Sequence, residues 1–359
     1  MKPRRKSRQV IVGKVPIGGD APITVQSMTN TKTEDIAATV HQILQLEEAG
    51  CELVRVTVPN ETAAQAIKEI KRQIHIPLIA DIHFNYRMAL LALGNGVDKI
   101  RINPGNIGSP QRIKAVLKKA KERNVPLRIG VNAGSLEKTL LDKYGKVCAE
   151  ALVESALRHV EICQDFGFDD IVISIKAAQV PMMIDSYRMI AEKVDFPLHL
   201  GVTEAGTTRT GSIKSAIGIG TLLAEGIGDT IRVSLTDNPI EEIKVGFEIL
   251  KALNLRKHGI NIVACPTCGR LEVDLISIVN RVEKELARFQ NKSLTVAIMG
   301  CVVNGPGEAR EADIGVACGK HSAVMFKKGQ IVGKIKESQI VDFLIREIEN
   351  WPDYDSETN

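Results

Sequence analysis

The chain has 359 residues, of which 44% are hydrophobic and 25% charged, and this ordinary composition excludes a disordered or fibrous protein. Its longest nearly uncharged stretch, Ser215 to Ala224, is too short to cross a bilayer, which excludes a membrane span. The balance of 47 basic against 43 acidic residues, with only 4% aromatic residues to stack on bases, argues against a nucleic-acid partner.

The N-terminal segment is basic and has three interpretations. A twin-arginine export signal is excluded because only Val10, Ile11 and Val12 follow before Gly13, which is no hydrophobic region. A phosphate-binding arm is the second interpretation, and a solvated tail is the favoured one. We therefore expect a cytoplasmic protein, in which an odd number of cysteines, seven, favours free thiols and a metal or redox site over disulfides.

From Ile23 to about Leu253, short β-rich runs alternate with longer helical stretches. After Pro110, for example, Ile113, Val116 and Leu117 recur at helical spacing. The predicted strands are Ile23–Ser27, Leu53–Val58, Pro77–Asp81, Lys99–Asn103, Leu127–Asn132, Ile171–Lys176, Leu198–Thr203 and Ile231–Ser234. Eight such units predict a closed (β/α)8 TIM barrel, with a hairpin at Val10–Val12 and Val15–Ile17 covering its bottom.

The pattern changes after residues 255–259. A strand at Asn261–Ala264, a helix at Asp274–Phe289 and a strand at Leu294–Met299 are followed by a hairpin and a closing helix. We therefore predict two domains, an α/β TIM barrel over residues 1–257 and a small α+β domain over residues 258–359.

The predicted barrel strands alternate apolar with polar residues, although strands covered by helices normally read as continuous apolar runs. The apolar set is expected to face the helices and the polar set to point into the barrel. The inward set is Gln26, Arg55, Asp81, His83, Lys99, Arg101, Asn103, Arg128, Asn132, Ser174, Lys176, Thr203, Arg232 and Ser234.

This inward set contains six cations but one strand-borne carboxylate, Asp81, with Glu204 just beyond the seventh strand. Leaving a buried charge without its partner costs about 3–5 kcal/mol, so the excess predicts a strongly anionic ligand such as a phosphate. The alternative is that some of these side chains bridge barrel layers or reach solvent, which explains one residue but not six. His83 is a candidate proton donor or phosphate contact, or a hydrogen-bonded filler. Glu204 is the better acid/base candidate, although its cationic surroundings favour charge stabilisation over proton donation.

Three cysteines lie at the ends of predicted strands: Cys265 and Cys268 in a CxxC, and Cys301 after 33 further residues. A zinc site needs a fourth Cys or His, which Cys318 or His321 must supply, and a redox dithiol leaves Cys301 unexplained. An iron–sulfur cluster with one weak or open position explains all three and is slightly favoured over zinc. Packing roles are expected for the remaining cysteines, Cys51, Cys148 and Cys163, and Cys318 is left open between packing and ligation.

With ACPTCGR at Ala264–Arg270 and MGCVVNGPGEAR at Met299–Arg310, the chain resembles the 4-hydroxy-3-methylbut-2-enyl diphosphate synthase family of the methylerythritol phosphate pathway of isoprene biosynthesis. Further motifs extend the resemblance over nearly the whole chain: VQSMTNT, ADIHF, RINPGNIG, RIGVNAGS, ISIKA and GVTEAG. The resemblance implies an oxidoreductase that opens and reductively dehydroxylates 2-C-methyl-D-erythritol 2,4-cyclodiphosphate.

It also implies a [4Fe-4S] cluster held by Cys265, Cys268, Cys301 and Glu308, where the carboxylate suits a displaceable ligand. Glu204, Glu308 and His83 become the catalytic candidates, and Asn304 joins the inward set as a substrate-binding candidate. Arg55, Arg101, Arg128, Lys176 and Arg232 are expected to hold the diphosphate.

The resemblance further implies flavodoxin or ferredoxin as the electron donor. It implies a barrel like that of dihydropteroate synthase, and a head-to-tail homodimer in which the cluster domain of one subunit caps the barrel of the other. Two rival functions stay open: a non-redox diphosphate transferase with zinc, and an iron–sulfur sensor whose basic tail contacts nucleic acid.

Overall fold

The structure is a computed structural model that describes residues 1–103, 107–286, 288–289, 291–301, 303 and 305–353. The chain divides into two compact units, Met1–Arg256 and Lys257–Asn359. Among the described residues, no helix combines the length and the apolar composition needed to cross a membrane.

The first unit is a parallel barrel in which consecutive strands are neighbours. Its strands are β1 Val10–Val12, β2 Val15–Ile17, β3 Thr24–Met28, β4 Leu53–Thr57, β5 Leu78–Ile82, β6 Lys99–Ile102, β7 Leu127–Asn132, β8 Ile171–Lys176, β9 His199–Leu200 and β10 Thr230–Ile231. Strands β3 to β10 pair in parallel, and β10 returns to β3. A parallel bridge between Ile173 and Leu198 joins β8 to the β9 segment, which closes the ring and confirms the predicted TIM barrel.

Helices follow the barrel strands and cover their outer face. They are Ile36–Glu48, Glu61–Lys71, Tyr86–Gly94, Pro110–Glu122, Lys138–Tyr144, Ala149–Asp165, Val180–Ala191, Thr208–Ala224 and Pro239–Ala252, with a 3-10 turn at Ala133–Ser135. Side chains cap several of them: Asn60 accepts from the amide of Ala63, and Asn238 from that of Ile240.

The apolar residues of the predicted strands face the helices, as expected. Val25, Ile100 and Ile231, for example, belong to one buried core with the helices. The hairpin β1–β2 packs Val12 and Ile17 on Leu53 and Ile79, at the starts of β4 and β5. Those starts form the bottom of the barrel, so the hairpin closes the end that the sequence predicted it to cover.

The N-terminal segment is not the solvated tail that we expected. Arg4 pairs with Asp229 at 2.9 Å, Arg5 donates to the carbonyls of Val194 and Phe196 at 2.7 and 2.6 Å, and Arg8 pairs with Asp195 at 2.7 Å. The segment therefore runs across the ends of the last barrel units, because its arginines find carboxylates and free carbonyls there.

The second unit is a five-stranded mixed sheet with strands β11 Ile260–Ala264, β12 Leu294–Met299, β13 Ile314–Gly319, β14 Ser322–Lys327 and β15 Gln330–Lys336. Strands β11 to β13 are parallel, and β14 and β15 add antiparallel neighbours. Its helices are Leu275–Leu286, Gly305–Glu311 and Ile340–Glu349, with a 3-10 turn at Glu337–Gln339.

Two barrel strands are shorter than predicted by more than one residue. We expected Leu198–Thr203 and Ile231–Ser234, but β9 ends at Leu200 and β10 at Ile231. Glu204, soon after β9, has a left-handed backbone (φ 52°), which ends the extended chain there. The predictions omitted β13 and the helix Gly305–Glu311, because the latter begins in a glycine- and proline-rich motif that reads as a loop.

Candidate functional site

The polar residues predicted to point into the barrel are mostly buried there. Nine have less than a tenth of their surface exposed: Gln26, Arg55, Asp81, Lys99, Arg101, Asn103, Arg128, Ser174 and Lys176. They lie within a barrel whose outer face is apolar, so their burial follows from the alternation of the strands.

Asp81 is the centre of the ionic contacts in the barrel. Its carboxylate accepts a hydrogen bond from Arg101 at 3.0 Å and lies 3.6 Å from Nε of Arg55. Burial opposes ionisation of this carboxyl, but the charges of Arg55 and Arg101 outweigh that effect and hold its pKa well below the usual range. Burial lowers the pKa of Arg55 to about 10. Asp81 is thus a charged anchor that orients two of the predicted phosphate-binding arginines.

Arg232 has a partner that the sequence analysis missed. Glu242, on the helix Pro239–Ala252, accepts hydrogen bonds from Nε and Nη2 of Arg232 at 3.2 and 2.9 Å. Glu242 is 3% exposed and also accepts from the Ser27 hydroxyl at 2.9 Å. Glu242 lies among the buried residues of its helix, next to Ile243. This position could have identified Glu242 from the sequence, because a carboxylate lies on a buried helix face only when the carboxylate has a partner. Glu242 therefore adds a buried carboxylate that the predicted charge count of the barrel did not include.

Two other cations in the barrel, Lys99 and Arg128, are buried without an acceptor among the residues that the structure describes. Nζ of Lys99 and all three guanidinium nitrogens of Arg128 make no hydrogen bond within the part of the chain that the structure describes, and both side chains are fully buried. Burial lowers the pKa of Lys99, and Arg128 beside it adds to the effect. Burial also lowers the pKa of Lys176, reinforced by Arg232 and Arg55. Six cations therefore meet two buried carboxylates, Asp81 and Glu242, which leaves a positive excess.

His199 is a second residue that sequence reasoning missed. It lies on β9 between two outward-facing leucines, is fully buried, and its ring nitrogens have no hydrogen-bond partner among the described residues. Burial lowers its pKa well below the usual value, with the charge of Arg128 as the next cause. The alternation that placed Leu198 and Leu200 outside already placed His199 inside.

Polar residues near the ends of the strands form hydrogen bonds with one another. In the orientation that satisfies both of its atoms, the Asn132 amide accepts from Arg101 at 2.9 Å. Asn103 donates to the Ser135 hydroxyl at 3.4 Å, and Ser234 accepts from Arg232 at 2.6 Å.

Three further candidates are more accessible. The His83 ring is 49% exposed and its Nε2 lies 3.8 Å from the Asp81 carboxylate. Glu204 is exposed, and Thr203 is half-buried.

The segment that follows Asn132 at the end of β7, and that carries Ser135, is held in place by contacts with a helix outside the barrel. Glu137, just before the helix Lys138–Tyr144, accepts from the Ser155 hydroxyl at 2.9 Å and contacts Nε2 of His159 at 2.7 Å. Burial opposes ionisation of Glu137, but the contact with His159 and the hydrogen bond from Ser155 lower its pKa to about 2. These contacts tie the segment to the helix Ala149–Asp165.

In the second unit, the three predicted cysteine ligands and Glu308 line one cavity of about 340 Å³. Cys265 and Cys301 follow β11 and β12, which are parallel neighbours, so the two cysteines emerge at the same edge of the sheet. The Cys265 thiol accepts from the amide of Gly300 at 3.2 Å, and Cys268 is exposed. Hydrogen bonds from the backbone and side chain of Arg270 lower the pKa of Cys268, which favours its thiolate.

The chemistry of this donor set fits an iron–sulfur cluster. A cubane cluster takes each ligand at a separate iron, so its ligands surround a volume. Soft thiolates are the donors that such clusters use, and the Glu308 carboxylate lines the same cavity as the three cysteines.

Neither of the two candidates for a fourth zinc ligand, Cys318 and His321, lines this cavity. Cys318 is buried in the core between the sheet and the helices Leu275–Leu286 and Ile340–Glu349, and burial raises its pKa to about 12. His321 is exposed in the turn between β13 and β14. Neither lines the cavity that holds Cys265, Cys268 and Cys301.

Comparison with known families gives a consistent result for both units. Residues 7–247 match the GcpE TIM-barrel domain, and residues 261–350 match the GcpE protein C-terminal domain. The chain belongs to the GcpE family. The resemblance that the motifs indicated is therefore confirmed over most of the chain.

Relatives of this GcpE chain carry an enzyme name. A protein of Clostridium acetobutylicum, 61% identical over 97% of this chain and 99% of its own, is named 4-hydroxy-3-methylbut-2-en-1-yl diphosphate synthase (flavodoxin). Proteins of Fusobacterium nucleatum and Geobacter sulfurreducens, each 58% identical over 95% and 96% of this chain and 96% and 98% of theirs, carry the same name.

Solved structures resemble the barrel of this GcpE chain in fold alone. Dihydropteroate synthase from Stenotrophomonas maltophilia has a TM-score of 0.51 at 14% identity and covers 69% of this chain and 97% of its own. The likeness supports the (β/α)8 architecture.

Some predicted positions lie outside the described residues. Asn304, the substrate-binding candidate of the second unit, is one of them, and residues 104–106 of the RINPGNIG motif are others. Ligation and substrate binding by the remaining candidates stay predictions.

Proposed function

We propose that this protein catalyses the ring opening and reductive dehydroxylation of 2-C-methyl-D-erythritol 2,4-cyclodiphosphate to 4-hydroxy-3-methylbut-2-enyl diphosphate, in isoprenoid biosynthesis. With the product diphosphate counted as its trianion, two electrons and one proton enter, the bond between a ring carbon and a phosphate oxygen breaks, and the C3 oxygen leaves as water. The names of the relatives support this reaction.

The observation that carries the proposal is the excess of buried cations in the barrel. Fully buried Arg128 and Lys99 make no hydrogen bond to any described residue, and two carboxylates face six cations. A cyclic diphosphate supplies two negative charges, which offset half of this excess, and several oxygens that accept hydrogen bonds from the cations. The rival transferase also acts on a diphosphate, so the barrel alone does not separate the two.

The proposed substrate contacts fall into three groups. Arg55, Arg101, Arg128, Lys176 and Arg232 hold the phosphate oxygens, and Asp81 and Glu242 fix Arg55, Arg101 and Arg232 in place. Lys99, Asn103, Asn132, Ser174, Thr203, Ser234 and Asn304 are the remaining proposed contacts. His83 and Glu204, the more exposed candidates, are placed to act on the substrate hydroxyls as proton donor and charge stabiliser.

The thiol cavity of the second unit supports the proposal over the transferase. Cys265, Cys268, Cys301 and Glu308 are the proposed ligands of a [4Fe-4S] cluster, and the cavity lining includes neither Cys318 nor His321, the two candidates for a fourth zinc ligand. Such a cluster supplies electrons one at a time. Glu308 is an oxygen ligand among thiolates, so it is the ligand that exchanges most readily.

The electron donor we propose is flavodoxin, with ferredoxin as the alternative. We further propose a cytoplasmic, head-to-tail homodimer, because the anion site and the thiol cavity belong to separate units and must act together. The N-terminal arginines are engaged by carboxylates and carbonyls of the barrel, which weighs against a nucleic-acid sensor.

The test is anaerobic turnover of the cyclodiphosphate by reconstituted protein, with dithionite as the chemical reductant. We expect brown protein with close to four irons and four sulfides per chain, and formation of the linear diphosphate. The matched control is a Cys301→Ser variant, which keeps the barrel and removes a proposed ligand. A colourless, zinc-loaded protein that acts on a diphosphate without reductant would establish the transferase instead.

A further inference from the structure

The sheet of the second unit has two different faces. On one face, Ile314, Val316 and Ala323 pack beneath the two long helices. On the other, Ala297, Ala317 and Phe326 pack against Ala309 and Ala312, in and just after the short helix Gly305–Glu311, with Cys265 beside them. We call this second face the thiol face, because the cavity of the three cysteines opens beside the same helix.

The edge strand β15 extends the thiol face beyond that short helix. Ile331 pairs with Phe326, Lys334 with Val324, and Lys336 with Ser322, and a β-bulge separates the first of these pairs from the other two. Paired residues on neighbouring strands project to the same side, so these three side chains lie on the thiol face. Ile335, the alternate residue, packs instead in the core beneath the long helices. Ile331 is 63% exposed, and both lysines are exposed too.

The segment that carries this strip is positively charged, with Asp313 and Glu337 at its two borders. From Ile314 to Lys336 the chain carries five lysines and no aspartate or glutamate. Lys327 is neutralised by Glu347 at 2.7 Å on the helix side of the sheet. Lysines on an edge strand also prevent aggregation by strand pairing between molecules. That role does not explain why Ile331, which lies between the turn and these lysines, is exposed. A solvent-exposed apolar side chain among like charges is the composition of a docking surface for a partner of opposite charge.

The strip lies close to the proposed cluster ligand on the short helix. The amide of Lys328, in the turn before β15, donates to the carbonyl of Asp313 at 2.9 Å. The next residue, Gly329, lies beside Arg310, which is two residues from Glu308 on the helix Gly305–Glu311. A protein bound to the strip therefore sits next to the element that carries Glu308.

We propose that Ile331, Lys334 and Lys336 form the docking surface for an acidic one-electron carrier protein of the flavodoxin kind. The inference rests on the proposed function, since only a reductive reaction needs a carrier. In each encounter the reduced carrier loses one electron and this protein gains it, and two encounters supply the two electrons of one turnover. Apolar contact with Ile331 and the positive lysines provide short-lived binding that salt weakens.

The experiment compares two double charge reversals in the full-length holoprotein. K334E/K336E changes the strip, and R281E/K284E makes the same charge change on the helix Leu275–Leu286, which packs on the opposite face. Purified flavodoxin is the probe. Its Kd is measured by calorimetric titration at two salt concentrations, and its KM in turnover, while a parallel assay uses dithionite.

We expect K334E/K336E to raise both the Kd and the KM for flavodoxin by about tenfold or more and to leave dithionite-driven turnover unchanged. R281E/K284E should match the unaltered protein within about twofold in every assay. An I331S variant, which keeps all charges, should raise the Kd without changing its dependence on salt.

Three results would overturn the inference. The first is an unchanged Kd for K334E/K336E, and the second is an equal increase in the Kd for R281E/K284E. The third is a loss of dithionite-driven turnover in K334E/K336E, which would show that the strip contacts a second copy of this chain or shapes the site itself. If the unaltered protein shows no turnover even with dithionite, the proposed function fails, and the flavodoxin Kd still reports on the surface by itself.

Discussion

Replacing Glu242 by glutamine tests whether the barrel holds an excess of positive charge that an anion relieves. Glu242 is 3% exposed and accepts four hydrogen bonds: from the Ser27 hydroxyl, twice from Arg232, and from the amide of Leu235 at 3.0 Å. An amide of the same shape retains some of these bonds but not the charge. Breaking a buried ion pair costs about 3–5 kcal/mol, and because the Arg232 side chain is 17% exposed we expect the lower end, about 3 kcal/mol.

Calorimetry is the suitable assay, because two units of one chain can unfold in separate transitions. At roughly 2–4 °C per kcal/mol, the barrel transition of Glu242→Gln should fall by roughly 6–12 °C. Inorganic pyrophosphate should then raise this transition more in the variant than in the unaltered protein, since Arg232 is freed to bind it.

Glu241→Gln is the matched control. It removes an adjacent carboxylate whose partner Lys244 is 58% exposed, and such a surface pair is worth about 0.3–0.5 kcal/mol. If Glu242→Gln lowered the barrel transition no more than this control, or if pyrophosphate stabilised both forms equally, the charge argument for the anion site would be wrong.

Three other predictions follow from the contacts described above. Arg128→Ala should weaken substrate binding, measured by calorimetric titration, by at least about 1.5–3 kcal/mol, the value of a charge-assisted hydrogen bond. Glu308→Gln should retain much of the cluster, measured as iron and sulfide per chain, but lose turnover, because the proposed reaction requires this ligand to exchange. Glu137→Gln should lose a part of the barrel's stability that depends on pH. The pKa of Glu137 is about 2 in the folded protein, so the ionised carboxylate stabilises the barrel fully above pH 4.5, and this stabilisation disappears as the pH falls through 2. We expect the gap in unfolding free energy between this variant and the unaltered protein, by urea denaturation, to shrink by roughly 2–3 kcal/mol between pH 5.5 and pH 2.

Each of these predictions has a contradicting result. Unchanged affinity in Arg128→Ala would give that residue a structural role, and full turnover in Glu308→Gln would remove ligand exchange from the reaction. A gap for Glu137→Gln that stays constant with pH would show that His159 and Ser155 do not stabilise the ionised carboxylate. Lys138→Gln is the control for that experiment, since it changes a charge beside Glu137 without touching the contacts with His159 and Ser155.

The sequence predicted the barrel and the direction of its side chains because alternation in a strand is strictly local. Once Val54 and Val56 face the helices, Arg55 must point inward, whatever the rest of the chain does. The same rule placed Arg101 and Arg128 together, and the register between β6 and β7 does bring them side by side.

The partners of these residues were not predictable in the same way. Glu242 reaches Arg232 from a helix, and Asp229 binds Arg4 across 225 residues of sequence. Such pairs depend on how distant segments meet, so strand alternation cannot identify them. Nor did composition reveal that the N-terminal arginines lie against the barrel, because a basic run has the same letters whether it is solvated or bound.

The contacts of the N-terminal segment also set the order in which the barrel can be completed. Residues 2–8 bond to groups between residues 169 and 229, which leave the ribosome long after the segment itself has emerged. The segment must wait for almost the whole barrel to be synthesised before it can attach, so its docking is a late event in folding. Once attached, the segment links the beginning of the barrel to its last strands. Detaching the segment therefore exposes those strands, and opening those strands frees the segment.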